Sequence, residues 1–219
     1  ELRIGRRSAT PSERIPPGQP VTVLPVRRPQ PLPCDPPRFC LDVHLGTLAK
    51  RMRLLGLDTA YRNDADDDEL IQLASEETRA LLTQDRALLQ RRALPFGAYV
   101  RGAQPDVQLR DVLNRFAPPL SPWTRCSGCN GMLAPAAKEE IEHRLQPGTR
   151  RTYDSFAQCQ SCERLYWRGA HARRLTAMVD WARQVVADAG GPRPGPPAHF
   201  RQRQWRIPGA TGSSEADPR

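Results

Sequence analysis

Two Cys-x-x-Cys pairs, Cys126-Ser-Gly-Cys129 and Cys159-Gln-Ser-Cys162, lie 29 residues apart, and no other feature narrows the folds open to this chain as far. Each pair sets two thiols on one tight turn, and two such turns facing each other supply the four sulfurs of a tetrahedral Zn²⁺ site. The spacing is that of a zinc ribbon, so the segment around it is nucleated by metal rather than by a large apolar core. A redox role is disfavoured, because neither pair opens the helix of a thioredoxin-like unit. Of the two remaining cysteines, Cys40 falls in an apolar run and reads as a small buried side chain, while Cys34 sits among prolines.

Composition marks the boundaries. The chain has 219 residues and 23 prolines, most of them toward its ends. Residues 11–37 and 190–219 are rich in Pro, Gly and Arg and hold too little apolar surface to offset the entropy of ordering them. No run of about 18 apolar residues is present, and the first residues lack the apolar stretch of a secretory signal. These features predict a soluble, cytoplasmic protein with no membrane association, in which paired cysteines serve as metal ligands rather than disulfides. The net charge of +9 is unevenly placed: residues 38–118 carry 12 basic and 12 acidic groups, whereas 1–37 carry 6 and 3, 119–189 carry 10 and 7, and 190–219 carry 5 and 2. A neutral centre flanked by basic arms suits a polyanionic partner.

From Arg38 short apolar runs alternate with helical periods. Phe39 to Leu41 reads as a buried strand, followed by a helix whose inner face is Leu45, Leu48, Ala49, Met52 and Leu55, closed by Gly56. Thr59 to Tyr61 is a second strand. A helix starts near Asp67, with acidic residues in the first turn where the helix dipole favours them. Ala80 to Thr83 is a third strand, Arg86 to Arg92 a short helix, Ala98 to Val100 a fourth strand, and Leu109 to Phe116 another helix. Strand and helix in alternation imply an α/β layer with a parallel sheet, since parallel neighbours need crossover helices. In the cysteine-bearing segment Lys138 to Leu145 is predicted as one helix, and Leu175 to Val186 line one face of a terminal helix.

Ligands of open parallel sheets bind beyond the carboxyl ends of the strands. Asp42 follows the first strand, Asp64 the second and Asp85 the third, and Asp67 opens the helix after the second, so four carboxylates converge on one edge. Each of these positions also suits a helix cap or turn. Hard cations such as Mg²⁺ and Mn²⁺ take oxygen ligands and keep several waters, and Asp42, Asp67 and Asp85 match that demand.

Residues 39–59 (Phe-Cys-Leu-Asp-Val-His-Leu-Gly-Thr-Leu-Ala-Lys-Arg-Met-Arg-Leu-Leu-Gly-Leu-Asp-Thr), then Asp67-Asp68-Glu69-Leu70-Ile71 with Ala74, then Leu81-Leu82-Thr83-Gln84-Asp85-Arg86, resemble the Mut-seven C-terminal RNase domain, a PIN-like family. The likeness continues through both cysteine turns and covers about residues 38–175. It implies a PIN-like α/β nuclease, a parallel sheet with flanking helices, followed by a small zinc ribbon and a C-terminal helix. Asp42, Asp67 and Asp85 are carried over as the acidic positions for a catalytic Mg²⁺ or Mn²⁺, with Asp64 or Asp66 as auxiliary groups. Cys126, Cys129, Cys159 and Cys162 hold a structural Zn²⁺. Gln84 stands where the family usually has Arg. Residues 14–26 are similar to the last strand of a ubiquitin-like domain that often precedes this nuclease.

The expected organisation is thus 1–37 disordered or a remnant ubiquitin-like strand, 38–118 the PIN-like nuclease domain, 119–189 the zinc ribbon and terminal helix, and 190–219 a disordered basic tail. The expected function is metal-dependent endoribonuclease cleavage of RNA phosphodiester bonds, with Lys50, Arg51, Arg53 and Arg86 as candidate phosphate contacts. tRNA, rRNA and the ribosome are the candidate partners. The alternative is a noncatalytic RNA-binding or ribosome-associated zinc-ribbon adaptor. Trp167, Tyr166 and His171 follow the last cysteine turn; they suit stacking on unpaired bases, although aromatic residues beside a small metal site more often fill its scant core.

Overall fold

The computed structural model describes residues 2–4, 7–9, 14–15, 17–23, 27–169 and 172–191. Its first three strands, β1 (Leu2–Ile4), β2 (Arg7–Ala9) and β3 (Val21–Val23), form a small antiparallel sheet in the order β2-β1-β3. Composition predicts disorder for this segment and the family resemblance implies a remnant strand; three short runs pair with one another around the buried Ile4, the last of them within residues 14–26. The predicted basic tail lies, from residue 192 onward, outside the described residues.

The main sheet contains β4 (Arg38–Leu41), β5 (Asp58–Tyr61), β6 (Ala80–Thr83) and β7 (Gly97–Tyr99), all parallel, in the order β5-β4-β6-β7. The inner strands β4 and β6 are the most apolar, because both of their faces are covered. Phe39, Leu41, Ala80 and Leu82 point to one side, with the helices α1 (Gly46–Leu54) and α3 (Pro105–Phe116); Cys40 and Leu81 point to the other, against α2 (Asp67–Glu76). Cys40 is fully buried, and burial pushes its thiol up to about 12, as an inert core side chain requires.

Local signals fix the helix ends. Asp66 accepts the Glu69 N–H at 2.8 Å while Glu69 accepts the Asp66 N–H at 3.1 Å, a reciprocal capping box that starts α2. At the end of α1 the chain turns through Gly56 at φ +81°, and a side chain there would collide with the Ser121 carbonyl. The expected short helix over residues 86–92 is reduced to a 3₁₀ turn at Leu88–Gln90.

The second half forms an antiparallel three-stranded sheet of β8 (Leu133–Ala136), β9 (Phe156–Cys159) and β10 (Leu165–Trp167), in the order β10-β9-β8. The helix predicted over residues 138–145 is divided: α4 (Lys138–Ile141) passes into a 3₁₀ turn, Glu142–Arg144, and a further helix, α5 (Pro147–Thr152), begins at Pro147. Proline at a first helical position has no amide to lose, so it starts α5 while ending what precedes it. The terminal helix α6 (Ala172–Asp188) lays Val179, Ala182, Val185 and Val186 against α3 and joins the main core. Among the described residues, no helix is long and apolar enough to cross a membrane.

Candidate active site and metal centre

The strand order reverses direction at β4: the first crossover leads outward to β5, the next leads back across to β6. Such a switch point opens a crevice beyond the carboxyl ends of the two strands that flank it, here β4 and β6. Asp42 and Asp85 stand at those two ends. The Asp42 N–H still bonds to the Leu82 carbonyl at 3.0 Å, so the ladder delivers this residue to the rim in a fixed position. The Thr83 hydroxyl, fully buried, donates to Asp42 Oδ2 at 2.6 Å and accepts the Asp85 N–H at 2.8 Å, linking both residues through one oxygen. Asp85 Oδ1 in turn accepts the N–H groups of Ala87 and Leu88, closing a local turn that leads into the following 3₁₀ segment. Tyr61 steadies the other side by donating its hydroxyl to the Val43 carbonyl at 2.8 Å, in space left open by Gly46.

Asp42 is only 8% exposed, yet no described Lys, Arg or His forms an ion pair with it. A carboxylate taken out of water without a cationic partner is costly. The rim therefore suits a cation. Asp67 stands exposed in the first turn of α2 with no side-chain partner among the described residues. The two expected auxiliaries are engaged locally: Asp66 caps α2, and Asp64 pairs with Arg62 at 3.1 Å on the surface. Among the described residues only the cysteine quartet gathers its ligand atoms within 4.8 Å of one another; Asp42, Asp67 and Asp85 are not drawn together so closely.

That quartet is geometrically complete. Cys126 and Cys162 sulfurs are 3.6 Å apart and those of Cys129 and Cys159 3.4 Å, against roughly 3.8 Å for sulfurs at tetrahedral Zn–S distances. The two turns repeat one design. Asn130 N–H bonds to the Cys126 carbonyl and Glu163 N–H to the Cys159 carbonyl, each at 3.0 Å, and both Asn130 and Glu163 take a left-handed backbone, φ 73° and 57°. Gly131 lets the turns close, since a side chain there would strike Ser161 and the Cys159 sulfur. Burial opposes ionisation of Cys126, but the Tyr166 hydroxyl at 3.0 Å and the Cys129 and Gly128 amides outweigh it and bring the thiol down to about 6. Cys129 is pushed up to about 12 by burial and by the neighbouring cysteines. Four sulfurs this close cannot all be thiolates without a cation among them, which is the demand a structural Zn²⁺ answers.

Residues 37–179 match the family model of the Mut7-C RNAse domain. The chain belongs to the Mut7-C RNase family. Neither the curated proteins nor the solved structures compared with it contain a match.

The Mut7-C match spans both halves, and a polar seam joins them at the amino end of the main sheet. Arg53, in the last turn of α1, donates to the Thr59, Ser127 and Gly128 carbonyls at 2.8, 3.3 and 2.7 Å. Asn130 accepts the Thr59 N–H and donates to Asp58, and Asp58 also binds Arg79 at 2.6 Å and Arg125 at 3.0 Å. Burial alone would raise the Asp58 carboxyl; hydrogen bonds from Arg79 and Asn130 and the charges of Arg79 and Arg125 hold it below its ordinary value.

This seam corrects one sequence expectation. Arg53, a candidate RNA contact, is 3% exposed and committed to three carbonyls, so in the Mut7-C domain it is a structural bolt. Arg51 pairs with Asp106, Arg86 lies over the Tyr99 ring at 5.6 Å, and Lys50 is exposed on α1. Gln84, where the family usually has Arg, donates to the Val100 and Gly102 carbonyls and braces the loop between β7 and α3. The sequence reading misses Thr83, Tyr61 and Asn130 as parts of the site. A hydroxyl residue two before Asp85, and an Asn-Gly pair directly after Cys129, are the available signals.

Proposed function

We propose that this Mut7-C chain is a divalent-metal-dependent endoribonuclease whose acidic rim is built on Asp42 and Asp85, with Asp67 completing it. The observation that carries this reading is the buried, unpaired Asp42 carboxylate braced through Thr83 to Asp85 at the switch point of the sheet. Asp42, Asp85 and Asp67 are the residues that would hold Mg²⁺ or Mn²⁺. The bound cation supplies an activated water at neutral pH and neutralises charge developing on the phosphoryl oxygens. The chain's own part is positional: Thr83 orients the Asp42 carboxylate, the local turn to Ala87 and Leu88 fixes Asp85, and Lys50, Arg51 and Arg86 are the candidate phosphate contacts of an RNA, with tRNA, rRNA or the ribosome as the candidate partner.

The test is cleavage of labelled RNA by the zinc-loaded protein with Mg²⁺ or Mn²⁺ added. Asp42→Asn and Asp85→Asn should each lower the rate by about 100-fold or more, since a lost charge at a metal site is worth several kcal/mol. Because the three aspartates are not gathered at ligand distance in this structure, a second reading stands beside it: a noncatalytic RNA-binding or ribosome-associated adaptor. Equal, residual cleavage by wild type and both variants, with RNA binding intact, selects the adaptor.

A further inference from the structure

A groove of about 790 Å³ runs between α1, the zinc ribbon and the first half of α6. Its lining starts at Thr47, in the first turn of α1 and five residues past Asp42, and follows Lys50, Arg51 and Leu54 along that helix to the ribbon. At 1.5 Å per residue this path is roughly 10 Å long. The groove connects the side of the sheet where the acidic rim lies with the side where the ribbon is docked.

Its chemistry is sharply divided. Five cationic side chains face the carboxylate of Asp106 alone, and the floor is formed by Leu54, Leu133, Leu165 and Met178 with the indoles of Trp123 and Trp167. Arg51 answers Asp106, Arg125 answers Asp58 and Arg168 donates to the Thr176 hydroxyl at 3.4 Å, which leaves Lys50 and Arg174 exposed and without an ion pair to a described residue. Trp167 is 42% exposed although it belongs to a three-stranded sheet with little core of its own, and its ring meets Phe156 only in a tilted contact, 6.4 Å between ring centroids. An indole needed only as ribbon core would be turned inward.

We propose that this groove is a binding site for single-stranded RNA, which holds substrate beside the acidic rim; the RNA class rests on the ribonuclease reading above. Cations track the phosphates, and exposed indoles stack with bases regardless of sequence. Bases in a duplex have their faces covered, so stacking here selects unpaired RNA. An acidic peptide would satisfy Lys50 and Arg174 but leave the exposed Trp167 indole without a partner of matching shape.

The experiment uses the full, zinc-loaded chain carrying Asp42→Asn, so that binding is read without cleavage. A fluorescent unpaired RNA decamer, the same strand in duplex, and a Glu-rich decapeptide are titrated by anisotropy over a salt series. Lys50→Glu with Arg174→Glu should weaken binding of the single strand at least about 10-fold and flatten the salt dependence of log K by about 0.7 for each phosphate that no longer meets a cation. Trp167→Leu should weaken it about 5- to 100-fold while Trp167→Tyr retains most of the affinity, with zinc content unchanged in both. Variants that bind as the parent does, a duplex bound as tightly as the single strand, or a peptide that displaces RNA at equal ionic strength would each overturn the proposal. Tight single-strand binding by a wild type that cuts no RNA would overturn the nuclease reading and leave the groove standing.

Discussion

The acidic rim and the zinc ribbon sit at opposite ends of one parallel sheet, and they differ in how much of each site the protein chain assembles by itself. In the ribbon, two turns of the same design bring four sulfurs to within tetrahedral spacing, and each turn is closed by its own backbone hydrogen bonds. At the rim, Asp42 and Asp85 are tied through Thr83, while Asp67 stands apart on the first turn of α2. The four cysteines come from two short turns paired across β8 and β9; the three aspartates of the rim lie at three separate strand-to-helix junctions. A structural ion completes a closed site, whereas a catalytic ion needs an open one with room for water and substrate. The proposed nuclease reading requires an open rim of that kind, and it further requires that a bound cation draw Asp67 toward Asp42 and Asp85.

Metal removal tests this contrast most severely. Structural zinc sites of this kind contribute on the order of 10 kcal/mol to the fold around them. Chelation, or Cys129→Ser, should abolish exchange protection of the β8, β9 and β10 amides while the β4 and β6 amides stay protected. Ribbon amides that remain protected after verified zinc loss would show that protein contacts alone hold it. The next largest effect is expected at the seam. Arg53→Met removes the donor to three carbonyls, each costly to bury unpaired, and should destabilise the chain by about 3 to 5 kcal/mol in denaturant unfolding without changing the zinc stoichiometry. A loss under about 1 kcal/mol, the worth of a single ordinary hydrogen bond, would mean that the two halves are not coupled through this side chain.

The contrast also explains what can be read from the sequence. Ribbon ligands are legible because two residues three apart on a turn must be neighbours, whatever the rest of the chain does. The strands and helices of the main sheet are legible because Phe39 to Leu41 and Ala80 to Leu82 are unbroken apolar runs, and Leu48, Ala49, Met52 and Leu55 keep one helical face. Arg53 misleads for an equally physical reason: periodicity places it one residue after Met52 but does not say which neighbour covers that face. Two of its partners lie more than 70 residues away in the ribbon. Asp66 suits a metal on position alone and serves as a cap, the commoner role of a carboxylate just before a helix. β1 and β2 escape notice because three-residue runs separated by Gly and Arg carry too little periodicity to stand out, whereas β3 falls within residues 14–26, where the family resemblance places a strand.

Thr83 offers a smaller and more selective perturbation of the rim. Thr83→Val keeps the shape but removes the hydroxyl that holds both Asp42 Oδ2 and the Asp85 amide. Loss of an orienting partner to a metal-site ligand typically costs about 10- to 100-fold, so cleavage should fall by that factor and be partly restored by Thr83→Ser. Rescue by Ser with failure by Val distinguishes orientation from packing. Cleavage unaffected by Val would remove Thr83 from the site and with it the link between the two aspartates.

The smallest effect should come from Asp58, and its pH dependence identifies its origin. The folded protein holds this carboxyl below its ordinary value of 3.8, since hydrogen bonds and charge from Arg79 and Arg125 overcome the burial that would raise it. The folded state therefore binds this proton less readily than the unfolded chain does. Its stabilising contribution is complete above the unfolded value and disappears as pH falls through 3.8 toward the lower folded value. Asp58→Asn keeps the shape but loses the charge facing Arg79 and Arg125, and should cost about 1 to 2 kcal/mol near neutral pH. The difference between wild type and variant should stay flat from about pH 7 to about 5 and shrink below about pH 4, with zinc content matched at every point. A difference that persists unchanged in acid would assign Asp58 a packing role and leave the seam to Arg53 and Asn130.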